Sequence, residues 1–353
     1  LSYFAPVIFL PVKGSVIFGQ DVSDLKSLLA DPPYSKTGVL VDPNTLAHCY
    51  PKVKGFLPHH ELLLVPAGEE HKNLATCQAI WQQLTEAHFD RHSLLVVLGG
   101  GVLGDMGGFC AATYKRGIDF VLVPTTLLAQ VDASVGGKLG IDFNDYKNQI
   151  GVFCEPKATF IHTGFLSTLP VRELRSGFAE VIKHCLISDA AMWSTIRTRS
   201  LEGQHWETLV NHSVQFKKSV TEKDPREKGL RKILNFGHTI GHALESYFLT
   251  RGNRIFHGEA ISMGMIMECF IAWEKHMITK EELDAIVSYL IEIFPKQSLD
   301  WENRAVVELM AQDKKNRGAE ILAALPDGIG SAIWDVGITE KEIVKSFDFY
   351  RSC

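Results

Sequence analysis

The chain has 353 residues, a formal net charge of −5 and an ordinary hydrophobic content of 46%. That length accommodates two domains with sizeable cores. The acidic balance gives no support to a nucleic-acid or membrane-surface role. Every long apolar stretch is broken by Gly, Asp or Glu, so no transmembrane helix fits. The seven cysteines stand apart without CxxC pairs, which argues against thiolate zinc or a disulfide framework and favours a reducing cytoplasm. Leu1 to Leu10 lacks a basic flank and reads as an early strand rather than a signal peptide; a start without Met suggests trimming.

In chain order, Val7 to Leu10, Thr37 to Val41, Glu61 to Val65, Leu94 to Leu98 and Phe120 to Val123 are short β-branched or leucine-rich runs that predict buried strands. Asp21 to Leu29 and Leu74 to Ala87 carry helical patterns between them. Strand–helix alternation predicts a mostly parallel α/β sheet of Rossmann type. From about Pro170 the pattern becomes helical: Glu173 to Ile187, Trp206 to Lys223, Gly229 to Phe248, Gly258 to His276, Lys280 to Ile293 and Trp301 to Asp313. Ile321 to Leu325 and Ser331 to Val336 predict a short hairpin. The expected organisation is an α/β domain over residues 1–160 and an α-helical domain over 161–353, with the active site in the cleft between them.

Leu94 to Leu98 runs into Gly99, Gly101 and Gly104, which match G-x-G-x-x-G between a strand and a helix. Glycines there let a pyrophosphate approach the backbone at a helix N-terminus. The competing reading is a tight strand–helix turn. An acid about 20 residues on, expected for a ribose, is poorly matched by Asp119. Asp42 and Asn44, or Glu69 and Lys72, could serve a ribose instead, although each is also a natural helix cap or surface charge. Further on, Gly136-Gly137-Lys138 and Lys147-Asn148 suit an anion; their spacing is not that of a Walker A loop.

The densest chemistry lies between Leu230 and Glu259. Arg231, Asn235, His238, His242 and Glu245 recur at spacings of 4, 3, 4 and 3, which predicts one polar stripe on one helix. Such a stripe lines a wet site, and two imidazoles one turn apart suggest a metal. In Phe178 to His184, Glu180, Lys183 and His184 share a helix face, and Glu180 is a candidate third ligand. Lys217, Lys218, Lys223, Arg226, Lys228, Arg231 and Lys232 form a basic cluster. Most read as a solvated face; Arg231 stands out because it joins the histidine stripe. Cations beside a metal suit a substrate bearing phosphate and carboxylate groups.

Taken together, Gly99 to Asp105, Tyr114-Lys115-Arg116-Gly117, Pro124 to Lys138, Gly177 to His184, Leu234 to Glu245 and His257-Gly258-Glu259 resemble the 3-dehydroquinate synthase family. The resemblance runs from Val41-Asp42-Pro43-Asn44 to Asp313-Lys314-Lys315. It implies a divalent metal, Zn²⁺ or Co²⁺, on Glu180, His238 and His257, which moves His242 from ligand to acid/base group. It implies NAD on Asp42, Asn44, Glu69, Lys72, Gly100, Gly101, Val102, Asp105, Thr125, Thr126, Lys138, Lys147, Phe165 and Thr168. It implies substrate on Arg116, Asp132, Lys138, Asn148, Lys183, Lys217, Arg231, Asn235, His238 and His242. Catalytic roles fall to His242, Glu227, Lys138, Lys183 and Asn148, and one of Lys314 and Lys315 should face substrate. Arg116 would reach the substrate phosphate of a neighbouring subunit, which implies a homodimer.

The implied reaction converts 3-deoxy-D-arabino-heptulosonate 7-phosphate to 3-dehydroquinate and phosphate, within aromatic amino-acid biosynthesis. It proceeds by transient oxidation by NAD, β-elimination of phosphate, re-reduction, and ring opening with intramolecular aldol closure. Two other readings use the same residues: a cyclase acting on another sugar phosphate, and a metal-dependent polyol or alcohol dehydrogenase with net NAD turnover. A non-enzymatic binding protein is the third. Local departures from the family pattern are Thr250 to Arg254, which looks like a surface insertion, and Asn144-Asp145-Tyr146.

Overall fold

The computed structural model describes residues 13–30, 33–144, 146–296, 300–311 and 321–353. The strand expected at Val7 to Leu10 and the lysine pair Lys314-Lys315 lie outside the described residues. The chain divides into two compact units, the first running to Leu169 and the second spanning Pro170–Cys353.

The first unit alternates strands and helices: β1 (Ser15–Phe18), α1 (Asp24–Leu29), β2 (Thr37–Val41), α2 (Pro43–His48), α3 (Tyr50–Val53), β3 (Glu61–Leu64), α4 (Leu74–Glu86), β4 (Leu94–Gly99), α5 (Gly101–Thr113), β5 (Asp119–Pro124), β6 (Lys138–Phe143), β7 (Tyr146–Phe153) and β8 (Ala158–Ile161). Six strands form one sheet in the order β1-β8-β5-β4-β2-β3, and every pairing in it is parallel. Burial on both faces explains why β2, β4, β5 and β8 read as continuously apolar rather than alternating. Val39, Val41, Val96, Leu98, Val121 and Val123 point to one face, where α1 and Phe165 cover them. Leu40, Leu95, Val97, Phe120 and Leu122 point to the other, under α4 and α5. Alternate residues of one strand therefore fill two separate cores. The antiparallel pair β6–β7 stands apart from this sheet; its Gly-rich start had read as an anion loop.

The second unit holds α6 (Val171–Ser188), α7 (Ala190–Ile196), α8 (Trp206–Lys223), α9 (His238–Thr250), α10 (His257–Glu274), α11 (Lys280–Ile293), α12 (Asn303–Ala311), the hairpin strands β9 (Ile321–Pro326) and β10 (Ala332–Ile338), and α13 (Glu340–Ser352). The hairpin is antiparallel, as expected. α10 is buried almost throughout, and α6, α9, α11 and α13 pack against it. This all-round burial matches its sequence, where Met, Ile, Ala and Gly leave no polar face.

One expectation fails. Gly229 to Phe248 is not one helix. Leu230–Asn235 is a 3₁₀ helix, the chain turns at Gly237 with φ +79°, and α9 starts afresh at His238. A left-handed residue cannot continue an α-helix, and glycine takes that conformation without strain. Arg231 and Asn235 therefore leave the stripe that His238, His242 and Glu245 share. Among the described residues, no helix is long and apolar enough to cross a membrane.

Candidate active site

In the first unit, β2 and β4 are neighbours, but β3 continues to one side and β5 to the other. Such a switch point in a parallel sheet is the usual place for a ligand. Asp42 follows the C-terminal end of β2, and Gly99 ends β4. α5 begins with Gly100 at its cap and no side-chain cap bond, so its first N–H groups remain for an anion. A Cβ on Gly100 would meet Thr126 Cγ2 at 3.0 Å and one on Gly101 would meet Ala133 Cβ at 3.3 Å. Gly104 faces open space. The close helix–sheet contact belongs to Gly107, whose Cβ would lie 2.8 Å from Leu40 and Val97 side chains. The uncapped start of α5, with no side chain on Gly100 or Gly101, suits a pyrophosphate.

Beside it lies a dense polar cluster. Lys72, only 4% exposed, donates to Asp105 Oδ2 and to Asn148 Oδ1, both at 2.6 Å. Burial works against the Lys72 charge, but Asp105, Glu69 and Asp142 outweigh it and hold its pKa above the ordinary value. Lys147 Nζ stands 3.9 Å from Glu69 Oε1. Asn148, at φ +50°, donates its backbone N–H to Asp142 Oδ1 at 2.7 Å. Asp142 in turn donates its N–H to the Lys72 carbonyl at 2.8 Å. Sequence reasoning missed Asp142, because only the β6–β7 pairing brings it here.

Other expected residues also make local structural contacts. Asp42 caps α2 through Thr45 at 2.8 Å, and Asn44 lies in that helix's first turn. Thr125 donates its N–H to the Gly99 carbonyl at 3.0 Å. Thr126 Oγ1 accepts from Ala129 N–H at 3.1 Å. Val102 sits in the first turn of α5. Thr168 Oγ1 donates to the Phe165 carbonyl, and Phe165 is buried in the core below the sheet. Asp132 lies in a π-helical turn, Ala129–Ala133, a geometry frequent at functional sites. Lys138 opens β6 with its side chain exposed.

Arg116 lies elsewhere. It precedes β5, at the N-terminal ends of the strands, whereas Gly99 to Gly101 lie at the C-terminal ends. Six residues of β5 separate the two levels, roughly 20 Å at strand rise. Arg116 has φ +68° and lines a cavity of about 460 Å³ with Lys13, Arg91, His92 and Lys157, and with the carboxylates Asp119 and Glu155.

In the second unit, α6 presents Glu180 and Lys183, 0% and 1% exposed. Lys183 Nζ contacts Glu180 Oε2 directly. The other oxygen, Oε1, lies 3.4 Å from His238 Nε2 and 3.7 Å from His257 Nε2. His242 joins the group: its ring centroid is 4.9 Å from that of His238 and 5.7 Å from that of His257. Outer contacts aim the rings. His238 Nδ1 lies 3.0 Å from the Phe236 carbonyl, and His257 Nδ1 lies 3.3 Å from Glu245 Oε2. Burial, Lys183 and the neighbouring imidazoles push the His238 pKa well down, so its ring is neutral and can act as a ligand. At His257 burial opposes the charge, but Glu180 and Glu245 raise the pKa to about 9.

The donor set fits a metal. Ligand atoms about 2.0–2.1 Å from a tetrahedral zinc ion lie about 3.3 Å from one another, close to the two Glu180 distances. Two imidazoles and one carboxylate leave coordination positions open, as in catalytic sites. His238 and His242, paired by i,i+4 spacing, lie with His257 in one group whose ligand atoms are all within 4.8 Å of one another; His257 and Glu180 join His238 only through the packing of α6, α9 and α10.

The basic cluster separates cleanly. Lys217 and Arg231 are buried, at 6% and 3%, while Lys223, Arg226 and Lys228 are exposed. Arg231 donates to the Pro225 carbonyl at 2.9 Å. Lys232 is bound to Asp335 at 2.7 and 2.8 Å. Asn235 Nδ2 donates to Glu227 Oε1 at 2.7 Å, and Glu227 has φ +55°.

The family model described as 3-dehydroquinate synthase N-terminal matches residues 62–176, and the one described as 3-dehydroquinate synthase C-terminal matches 177–316. The 3-dehydroquinate synthase of Parabacteroides distasonis is 39% identical over 343 residues, covering 95% of this chain and 97% of that one. Among solved structures, ValA, a 2-epi-5-epi-valiolone synthase from Streptomyces hygroscopicus with NAD⁺ and Zn²⁺ bound, superposes with a TM-score of 0.84 at 25% identity, covering 100% and 99% of the two chains. A 2-deoxy-scyllo-inosose synthase complexed with carbaglucose-6-phosphate, NAD⁺ and Co²⁺ gives 0.82 at 25%, covering 95% and 98%. The chain therefore belongs to the 3-dehydroquinate synthase family.

Proposed function

We propose that the residues assembled above carry out the 3-dehydroquinate synthase reaction of this family, on 3-deoxy-D-arabino-heptulosonate 7-phosphate, in the following division of labour. The first unit binds NAD at the Gly99–Gly101 cradle, with Asp42, Asn44, Glu69, Lys72 and Asp105 around it. The second holds a divalent ion, Zn²⁺ or Co²⁺, on Glu180, His238 and His257. When bound, the dinucleotide supplies a reversible hydride acceptor and the ion a Lewis acid for adjacent substrate oxygens.

The chain's own residues orient the substrate and move protons. Lys183, buried and in contact with Glu180, sets a positive charge beside the ligand set, where it can hold a substrate hydroxyl. Lys217 and Arg231, kept from bulk water, suit the substrate carboxylate. His242, adjacent to two ligand imidazoles, is the acid/base group, and Glu227, oriented by Asn235, is a proton acceptor. Lys138 and Asn148 hold the phosphate. Fixing one flexible substrate through several steps is chiefly a matter of orientation.

The position of Arg116 supports a homodimer. It stands at the opposite end of the sheet from the glycine cradle, so a phosphate contact by Arg116 is natural only to a second copy's substrate. The observation carrying the metal assignment is the convergence of His238 and His257 on one Glu180 oxygen, at 3.4 and 3.7 Å. Its test is His257→Ala: bound zinc and phosphate release are lost while NAD⁺ binding persists. Unchanged zinc content and turnover would overturn the ligand set. The identity level favours a dehydroquinate synthase over the other sugar-phosphate cyclases, whose structures match at 25% against 39% for the Parabacteroides enzyme.

A further inference from the structure

α9 begins with a ligand histidine but cannot cap itself. Its cap residue is Gly237, which has no side chain, and no side-chain cap bond comes from its own segment. Glu268 of α10 supplies the missing acceptors. Its Oε2 accepts from Gly237 N–H at 2.6 Å and its Oε1 from Ile240 N–H at 3.0 Å. In an ordinary capping box, the cap side chain takes the third-residue N–H and a Glu at the third position takes the cap N–H. Here a single carboxylate from another helix does both. Glu268 is 0% exposed, and the positive end of the α9 dipole favours its charge.

The placement ties two ligands together. α10 starts at His257, and Glu268 of that helix grips the N–H groups flanking His238. The two helices also cross at glycine contact: a Cβ on Gly241 would lie 2.9 Å from the Ala260 carbonyl oxygen. We infer that Glu268 is a positioning residue of the metal site, setting the His238 ring against the His257 ring by fixing the start of α9 on α10. It is not one of the assigned ligands; it acts through the backbone on either side of His238. This inference rests on the assignment of the metal to Glu180, His238 and His257.

The test compares Glu268→Gln, Glu268→Asp and a core control, Leu283→Ala on α11, in the full chain. Zn²⁺ affinity is read by chelator competition and ligand geometry by the visible spectrum of the Co²⁺-loaded protein. Gln presents an NH₂ group to one of the two N–H donors, so Glu268→Gln should weaken zinc about ten- to a hundredfold, as loss of outer-sphere support does elsewhere, and shift the Co²⁺ spectrum. Glu268→Asp keeps both acceptor oxygens on a shorter stem and should retain more affinity, with a smaller spectral shift. Leu283→Ala should lower thermal stability and leave both metal readouts unchanged. Wild-type affinity and spectrum in Glu268→Gln, or an affinity loss matched by Leu283→Ala, would overturn the inference. Should Glu268→Gln fail to fold, Glu268→Asp decides: a spectrum identical to the unaltered protein overturns it. If the unaltered protein binds no zinc at this site, the metal assignment fails rather than the role of Glu268.

Discussion

Gly264→Ala should disable the proposed metal site without altering any of its proposed ligands. Gly264 lies on α10 where α9 crosses it. A Cβ there would sit 1.9 Å from the Gly237 carbonyl oxygen and 2.8 Å from Gly241 N, where real contacts stay beyond 3.0 Å. The methyl would enter the first-turn hydrogen bond of α9, Gly241 N–H to the Gly237 carbonyl, at 3.1 Å. Backbone cannot rotate aside as a side chain can, so α9 must lift by about 1 Å, carrying His238 and His242 with it. Overpacking of this kind costs roughly 1–3 kcal/mol of stability. A 1 Å misplacement of reacting groups costs on the order of a hundredfold in rate. Urea unfolding measures the first, and single-turnover phosphate release with zinc affinity measures the second. A variant with turnover within about twofold of the unaltered protein would refute the claim that the α9–α10 crossing fixes the site.

On the proposed homodimer with Arg116 shared between subunits, Arg116→Ala and His257→Ala should each be inactive alone, yet mixing and reassembling them should restore about a quarter of normal activity, because half of such dimers would carry one intact site; no recovery would argue against a shared site. Glu245→Ala should weaken zinc about ten- to a hundredfold by releasing His257 Nδ1, measured by chelator competition; an unchanged constant would remove Glu245 from the site. Glu342 caps α13 through Thr339 N–H at 2.7 Å and pairs with Lys275 at 2.6 Å. Burial opposes its charge, but Lys275 and Thr339 outweigh burial and hold its carboxyl below the usual 4.5. A depressed carboxyl contributes stability above its unfolded pKa and loses it as pH falls through the folded one. Glu342→Gln should therefore cost about 1 kcal/mol at pH 7 and progressively less below pH 4.5; a gap that widens in acid would contradict this.

Much of the architecture is written in local pattern. The strands Thr37–Val41 and Leu94–Gly99 are apolar runs bounded by turn residues, and α8 and α11 have the expected limits. The histidine stripe misled because periodicity alone extended it through Gly237. That glycine was the available signal: inside a helical pattern it can mark a left-handed turn. Glu180 and His257 are 77 residues apart in sequence, so no spacing rule pairs them; the family resemblance supplied that set. Asp142 and Glu268 were invisible for the same reason, since a β-hairpin and a helix crossing bring them to their partners. Phe165, assigned to the cofactor, is a core residue under the sheet. Arg116, picked out by motif, lies at the N-terminal ends of the strands, a position that only strand direction reveals.

The most direct test of the central claim is phosphate release from 3-deoxy-D-arabino-heptulosonate 7-phosphate with NAD⁺ and Zn²⁺, with and without a chelator, while absorbance follows NADH. The assignment predicts release that the chelator abolishes, formation of 3-dehydroquinate, and no net accumulation of NADH. Stoichiometric NADH accumulation would identify a dehydrogenase instead. Release from sedoheptulose 7-phosphate but not from this substrate would keep the site and contradict the assigned reaction.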